Sequence, residues 1–175
     1  HLEFIDLIKD KYPNMEDRTS QNIFTIDGEG CADYDDAIGI TKIDNKSIIS
    51  IYISNVVIWI ELLGLWKSFS RRVSTIYLPD RKRPMMPSVL SDCLCSLQEN
   101  QNRYALAIDI IIDEKGHIKD VKFLNVIINV FKNFIYEESD LKNNNQYIDI
   151  LNCVKKLSQI HNLKKNYKMK IKNSY

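Results

Sequence analysis

The stretch IFTIDGEGCADYDDAIGIT, residues 23–41, decides how the chain is read. IFTID (23–27) and AIGIT (37–41) have the apolar character of strands. The segment between them gathers Asp27, Asp33, Asp35 and Asp36 within ten residues, with Glu29 nearby and Gly28 and Gly30 in the loop. A solvated acidic face is not usually bracketed by IFTI and AIGI. Two carboxylates about 5 Å apart repel by roughly 3 kcal/mol at an effective dielectric near 20. A divalent cation relieves that better than protonation does, and all-oxygen ligation suits Mg²⁺ or Mn²⁺ rather than zinc. Carboxylates on a Gly-hinged turn between strands are also a common way to hold phosphoryl-transfer metals. On spacing alone, a set of turn and cap carboxylates stays open as the alternative. A calcium loop of the EF-hand kind fits poorly. Counted from Asp33, position 5 is Ala37, position 6 is Ile38 rather than Gly, and position 12 is Asp44 rather than Glu.

Outward from this loop, SIISIYIS (47–54) pairs with AIGIT across the turn residues Asp44, Asn45 and Lys46. An apolar stretch with Trp59 and Trp66 leads into a helix ending near Arg71 and Arg72, and STIYLP (74–79) reads as a short strand. ALAIDIIID (105–113) and HIKDVKFLNVIINV (117–130) form the clearest hairpin, with Glu114, Lys115 and Gly116 as its turn. Before the loop, residues 1–22 read as a short helix (Leu2, Ile5, Ile8) stopped at Tyr12-Pro13 and followed by an irregular lead-in. At the other end Ile150, Val154, Leu157 and Ile160 have a helical period, and from residue 150 onward there are seven Lys and no acid. The fold class expected is α+β: a mixed or antiparallel sheet carrying the acidic loop, packed by helices.

Composition narrows the class. The chain has 175 residues, 45% hydrophobic and 27% charged, enough for a core and against global disorder. No apolar run approaches the roughly 20 residues of a membrane span, so no membrane partner is expected. Residues 1–60 hold 11 acids against 5 bases, a net of −6, and residues 61–175 hold 12 against 19, a net of +7. Opposed halves suit a protein that gathers acids at one place and meets a polyanion at another. Cys31, Cys93, Cys95 and Cys153 match neither a zinc pair nor a disulfide framework, and are expected as buried free thiols in a reducing, intracellular compartment. The chain opens HLEFIDLIKD, without an initiator Met or a signal-peptide pattern, and reads as a piece of a longer polypeptide.

The motifs have a family resemblance. D-x5-D-x-D-D after a T-I strand resembles the signature of the ribonuclease II/R (RNB) family of 3′→5′ exoribonucleases. IYISNVVIWI (51–60) resembles that family's VHIADVSHYV strand, and RRVSTIYLPDRKRPMMPSVLSDCLCSL (71–97) its R-x-T-S-V-Y-LP…PMLP…LS…LCSL block. NRYALAIDIIIDEKGHI (102–118) resembles its D-R-L-A-L-S hairpin, and VIINVFKNFIYEE (126–138) its V-I-x-S…L-T-Y-E-E turn into a helix. The likeness runs from residue 18 to about residue 141.

The resemblance implies roles. Asp27, Asp33, Asp35 and Asp36 match four aspartates that hold Mg²⁺, with Mn²⁺ as a substitute, and position the attacking water. Tyr77 matches an aromatic that stacks on a base near the RNA 3′ end, and Arg81, Lys82 and Arg83 beyond it are placed to touch phosphates or to form a solvated loop. Arg71 and Arg72 suit a helix end equally well. None of His1, His117 and His161 lies in a motif, so no general base is assigned to histidine. The implied activity is hydrolysis of single-stranded RNA to nucleoside 5′-monophosphates. The alternatives are a non-catalytic RNA-binding remnant and, less directly, a Ca²⁺-binding structural module.

The chain also departs from the pattern. It has Ser54-Asn55-Val56 where the family has A-D-V, and of the R-x-D-L-R block only Arg18 is clear. Family domains are roughly twice this length, and their later half supplies an arginine near the scissile phosphate and a second aromatic. Residues 1–17 are therefore expected as a lead-in and 18–175 as the first half of a catalytic domain, with a basic helix and tail at 147–175. The missing half, and cold-shock and S1-type RNA-binding barrels, are expected in the longer protein.

Overall fold

The computed structural model describes residues 7–8, 10–69 and 74–172, with the side chains of Lys82 and residues 164–172 left aside. Its centre is a closed barrel of five strands in the order β1 (Glu16–Asp27), β2 (Asp36–Ile43), β3 (Lys46–Ser54), β6 (Asn102–Asp113) and β7 (Ile118–Ile135). The segment between β3 and β6 carries helices α1 (Val56–Leu62) and α2 (Trp66–Phe69), a ribbon of β4 (Ile76–Tyr77) and β5 (Lys82–Arg83), and a π-helix (Val89–Cys95). Two helices follow β7, α3 (Ser139–Lys142) and α4 (Asn145–Lys172).

The sheet is mixed, as expected, and its closure comes from the length of β7. Residues 118–129 of β7 pair antiparallel with β6, and residues 126–135 pair in parallel with β1. The remaining seams are antiparallel. The β1–β2 seam is the weak one, with Phe24 opposite Ile38 as its one register pair. The acidic loop is the connection between these two strands, so it sits where the barrel wall opens.

A five-stranded barrel has little room inside. Its lumen holds Ile23, Ala37, Tyr52, Leu97, Ala105, Ala107, Val126, Ile128 and Val130. It also holds a buried ion pair. Arg18 Nη1 and Nη2 donate to Asp109 Oδ1 and Oδ2 at 2.8 and 2.7 Å, and both residues are 5% exposed. Ser50 Oγ donates to Asp109 Oδ1 at 2.7 Å, and Arg18 Nε donates to Glu16 Oε1 at 2.9 Å. Burial pushes the Asp109 carboxyl up, but the hydrogen bonds from Arg18 and Ser50 outweigh it and hold the group below the usual range.

Outside the barrel, Phe24, Phe134, Leu141 and Ile150 pack together under α3 and α4, with Ile26, Ile38, Ile40 and Tyr147 around them. The Phe24 and Phe134 rings meet edge to face at 5.5 Å. This cluster backs the weak seam. Helix α4 also reaches the β6–β7 turn. Gly116 has φ +88°, and a Cβ there would lie 2.8 Å from Lys156 Cβ, so the turn needs glycine for conformation and for space. A third cluster joins α1 to the π-helix through Ile60, Met86 and Leu90.

Several element bounds differ from the sequence reading. The irregular lead-in is a strand from Glu16 onward, because the inward polar side chain of Arg18 is satisfied by a residue far along the chain. STIYLP contributes only Ile76–Tyr77, paired with β5, a strand too short to show in the sequence pattern. The turn before β3 needs only Asp44 and Asn45, with Asp44 at φ 50°, a conformation Asp tolerates. On α4, Val154 is exposed, and the packed stripe is Ile150, Cys153, Leu157 and Ile160. All four cysteines are free, but only Cys95 is buried; Cys93 is exposed and Cys31 and Cys153 lie between. Arg71 and Arg72 lie outside the described residues.

The lumen pair generates a stability test. Asp109→Ala leaves Arg18 charged and buried with only the half-exposed Glu16 to answer it, and should lower the unfolding free energy by about 3 kcal/mol in urea titration. Replacing both residues with apolar ones of similar volume should cost less than the single change.

Candidate active site at the β1–β2 loop

Asp27 is the last residue of β1 and Asp36 the first of β2. Pairing of Asp36 with Ile53 on β3 fixes its place in the wall. Between them, Gly28 O accepts a hydrogen bond from Cys31 N at 3.2 Å, and Gly30 takes φ +77°. The loop ends where Ser54 N donates to Asp35 O at 2.9 Å. Asp27 and Asp33 are half-buried, and Asp35 and Asp36 are exposed.

The electrostatics place three of the four acids in one neighbourhood. Burial raises the pKa of Asp27, a hydrogen bond from Thr25 pulls it back, and the charges of Asp36 and Asp33 raise it further. The Asp35 charge also reaches Cys95, a thiol pushed to about 11 mainly by burial. Among the described residues, no three His, Cys, Asp or Glu side chains converge as a group that could hold a metal. The donor chemistry nonetheless fits a hard divalent cation. The set is all carboxylate, its innermost member is held toward the neutral form by burial and then by like charges, and a cation would oppose that bias. Cys31 Sγ lies 3.8 Å from Asp27 Oδ1 and 3.4 Å from Asp33 O, so a softer atom stands at the inner edge of the set.

Residues missed by the sequence reading support these acids. Thr25, two positions before Asp27 on the same strand face, donates to its carboxylate. Asn133 Nδ2 donates to Thr25 Oγ1 at 2.8 Å, which leaves the threonine hydrogen for Asp27. Asn133 is held in turn by Leu97 O at 3.0 Å and by a reciprocal pair of bonds with Glu99. Only the strand period of Thr25 was visible in advance; Asn133 lies 108 residues from Thr25. Tyr136 is a further residue whose role no sequence signal marks. Its N–H donates to Asp27 O at 3.0 Å, and its exposed ring lines a cleft of about 170 Å³ with Thr25, Ile26, Asp36 and Ile38.

The candidate RNA-contacting residues lie on a separate two-stranded sheet and the turn that joins it. Tyr77 on β4 is 77% exposed. Arg83 faces Ile76 in the ribbon register, and Arg81 lies in the intervening turn, 3.7 Å from Asp80. Leu78 N closes that turn onto Arg81 O at 2.9 Å. The ribbon leads into Met86, which is buried against α1 and the π-helix.

Comparison with known proteins matches residues 15–175 to the family model described as RNB domain. Ribonuclease R of Mycoplasmopsis pulmonis is 34% identical over 168 residues, which is 91% of this chain and 23% of that protein. The solved structure of Mycoplasma genitalium RNase R with ribose-methylated single-stranded RNA superposes with a TM-score of 0.72 at 26% identity, over 90% of this chain and 26% of that one. Yeast Ssd1, a pseudonuclease, shares the fold at a TM-score of 0.71 and 16% identity, over 84% of this chain and 19% of that one. The chain spans about a quarter of the length of the relatives it matches.

The charge arrangement has a pH consequence. With its pKa raised in the folded state, Asp27 is harder to ionise there than in the unfolded chain, so its contribution to stability falls as pH rises through that pKa. Asp27→Asn should therefore melt at a higher temperature than the parent at pH 7 in EDTA. The gap should close as the pH is lowered below the carboxylate range, where Asp27 is neutral in both states.

Proposed function

The chain belongs to the RNB-domain family, and from that premise we propose that it carries the acidic loop of a 3′→5′ exoribonuclease acting on single-stranded RNA. The products would be nucleoside 5′-monophosphates and the cofactor Mg²⁺ or Mn²⁺. The observation that carries the reading is the placement of Asp27. A half-buried carboxylate at a strand end, raised by burial and by Asp36 and Asp33, is an arrangement that a divalent cation stabilises. The chain from β1 onward would form the first part of a larger catalytic domain, with the expected lead-in ending before Glu16 rather than at residue 17. RNA contacts from elsewhere in the longer protein, cold-shock and S1-type barrels among them, would add to the grip. The free thiols suit an intracellular setting.

Asp27, Asp33, Asp35 and Asp36 would hold the metal. When bound, the ion lowers the pKa of water and neutralises charge growing on the phosphate. The chain's own residues do the rest. Thr25, fixed by Asn133, orients the Asp27 carboxylate. Tyr136 walls the cleft beside Asp36. Tyr77 offers an exposed aromatic face on which any base can stack, which suits an enzyme indifferent to sequence. Arg81 and Arg83 flank it as phosphate contacts, a role that lowers affinity at high salt.

A second reading is favoured by one observation. The acids do not converge on a ready metal group among the described residues, and a pseudonuclease has the same fold. On that reading the domain binds RNA without cutting it.

Labelled single-stranded RNA with Mg²⁺ and EDTA arms separates the two. Asp35→Asn should abolish hydrolysis by the longer protein and leave RNA binding near the parent value; hydrolysis at the parent rate would sink the catalytic reading. Tyr77→Ala should weaken binding by about 1–3 kcal/mol, evenly across RNA sequences. The 175 residues alone should cut slowly or not at all, since losing one transition-state donor commonly costs about 10²–10³ in rate.

A further inference from the structure

Between Asp27 and Asp36 the loop has no regular secondary structure, so individual polar contacts set its shape. Tyr34 lies between Asp33 and Asp35, and its side chain packs against the barrel core. Its N–H donates to Ser96 Oγ at 3.0 Å, and its carbonyl accepts from Leu97 N at 2.9 Å. The Ser96 hydroxyl donates in turn to Ala32 O at 3.0 Å. One hydroxyl thus bridges the residues on both sides of Asp33. Ser96 is 1% exposed, and a buried hydroxyl left unpaired costs about 1–3 kcal/mol. It satisfies both its donor and its acceptor on a loop 62 and 64 residues away rather than on its own π-helix.

Ser96 is itself held. It is the C-cap residue of the π-helix, and its carbonyl accepts from Arg103 Nε at 2.8 Å. Arg103 Nη2 donates to Cys93 O at 2.9 Å, which ties the last turn of that helix to β6. Beside it, Ser54 Oγ donates to Cys95 O at 2.6 Å, and Ser54 N donates to Asp35 O at 2.9 Å. The π-helix end therefore grips the loop through Ala32 and Tyr34, and β3 grips it through Asp35.

We propose that Ser96 is a positioning residue of the acidic loop, whose hydroxyl, by spanning Ala32 and Tyr34, sets the carboxylates of Asp33 and Asp35 for the metal. The inference rests on the reading of the acids as metal ligands. Groups that orient metal-ligating carboxylates typically contribute about 10–100-fold to metal affinity. Arg103 acts one step further out, by fixing the carbonyl of the residue that carries the hydroxyl.

Manganese is the probe, because free Mn²⁺ is counted directly by its paramagnetic resonance signal. The full chain, Asp27→Asn and Ser96→Ala are titrated with Mn²⁺, and amide hydrogen exchange is followed at Tyr34. Ser96→Ala should bind Mn²⁺ about 10–100-fold more weakly and exchange the Tyr34 amide faster, with parent-like circular dichroism and a melting temperature lowered only as far as one lost buried hydroxyl explains. A purely structural serine would lower the melting temperature without singling out metal affinity. Parent-like affinity in Ser96→Ala, with binding lost in Asp27→Asn, overturns the proposal and leaves the acids as ligands. A parent chain that binds no Mn²⁺, or an Asp27→Asn variant that binds like the parent, overturns both. If Ser96→Ala does not fold, Ser96→Cys, similar in volume and weaker in hydrogen bonding, is measured against the same outcomes.

Discussion

The Arg18–Asp109 pair in the barrel lumen is the interaction on which the rest of the structure depends. It joins β1 to β6, which are not neighbours in the wall but the two strands that flank β7. With Ser50 of β3 donating to the same carboxylate, three strands meet at one ionic point. A bidentate guanidinium–carboxylate contact tolerates little displacement along either strand. It therefore helps to set the register in which β1 runs beside β7, and that register places Asp27 at the mouth of the weak β1–β2 seam. A strand slipped by one residue would reverse its faces and bury the wrong side chains.

The site lies where the barrel is least complete. Strands β1 and β2 separate after Phe24 and Ile38, and the gap is backed from outside by the aromatic and aliphatic cluster beneath α3 and α4. That backing lets the strand ends diverge without exposing the core, and the divergence makes room for a loop of acids and the cleft lined by Tyr136. The acids repel one another, so the loop needs contacts that offset that repulsion. Its backbone is held by Ser96, Leu97 and Ser54, and Asp27 by the Asn133–Thr25 relay. At the loop itself, neutral hydrogen bonds thus hold the backbone while the like charges stand half-buried or exposed beside it.

The long connection between β3 and β6 serves a different end. It adds Leu97 to the lumen and a single bridge from Glu99 to Val130, but no strand to the wall, and it places an exposed tyrosine and two arginines on a short ribbon. The ribbon is anchored through Met86 to a small apolar cluster of its own. A two-residue ribbon with a proline in its turn has too few backbone bonds to stand independently, so that anchor matters. The opposition of charge between the two parts of the chain has a spatial counterpart here, in acids at the seam and cations on the ribbon.

The sequence by itself determined the acidic loop, its flanking strands, the main hairpin and the terminal helix. Each is a local pattern, an alternation or a helical period next to residues that favour turns, and local patterns are readable without knowing what lies opposite. The family signature was legible for the same reason, since its motifs are short and lie in order along the chain. The tertiary structure alone decided that residues 16–22 form a strand, because the strand's inward arginine is paired 91 residues away. It alone closed the sheet into a barrel, since closure depends on β7 being long enough to pair with both β6 and β1. It also recruited Ser96, Asn133 and Tyr136 to the acids. Their roles come from hydrogen bonds and packing between segments far apart in the chain, and no periodicity in a linear sequence encodes which distant polar group a buried donor will meet.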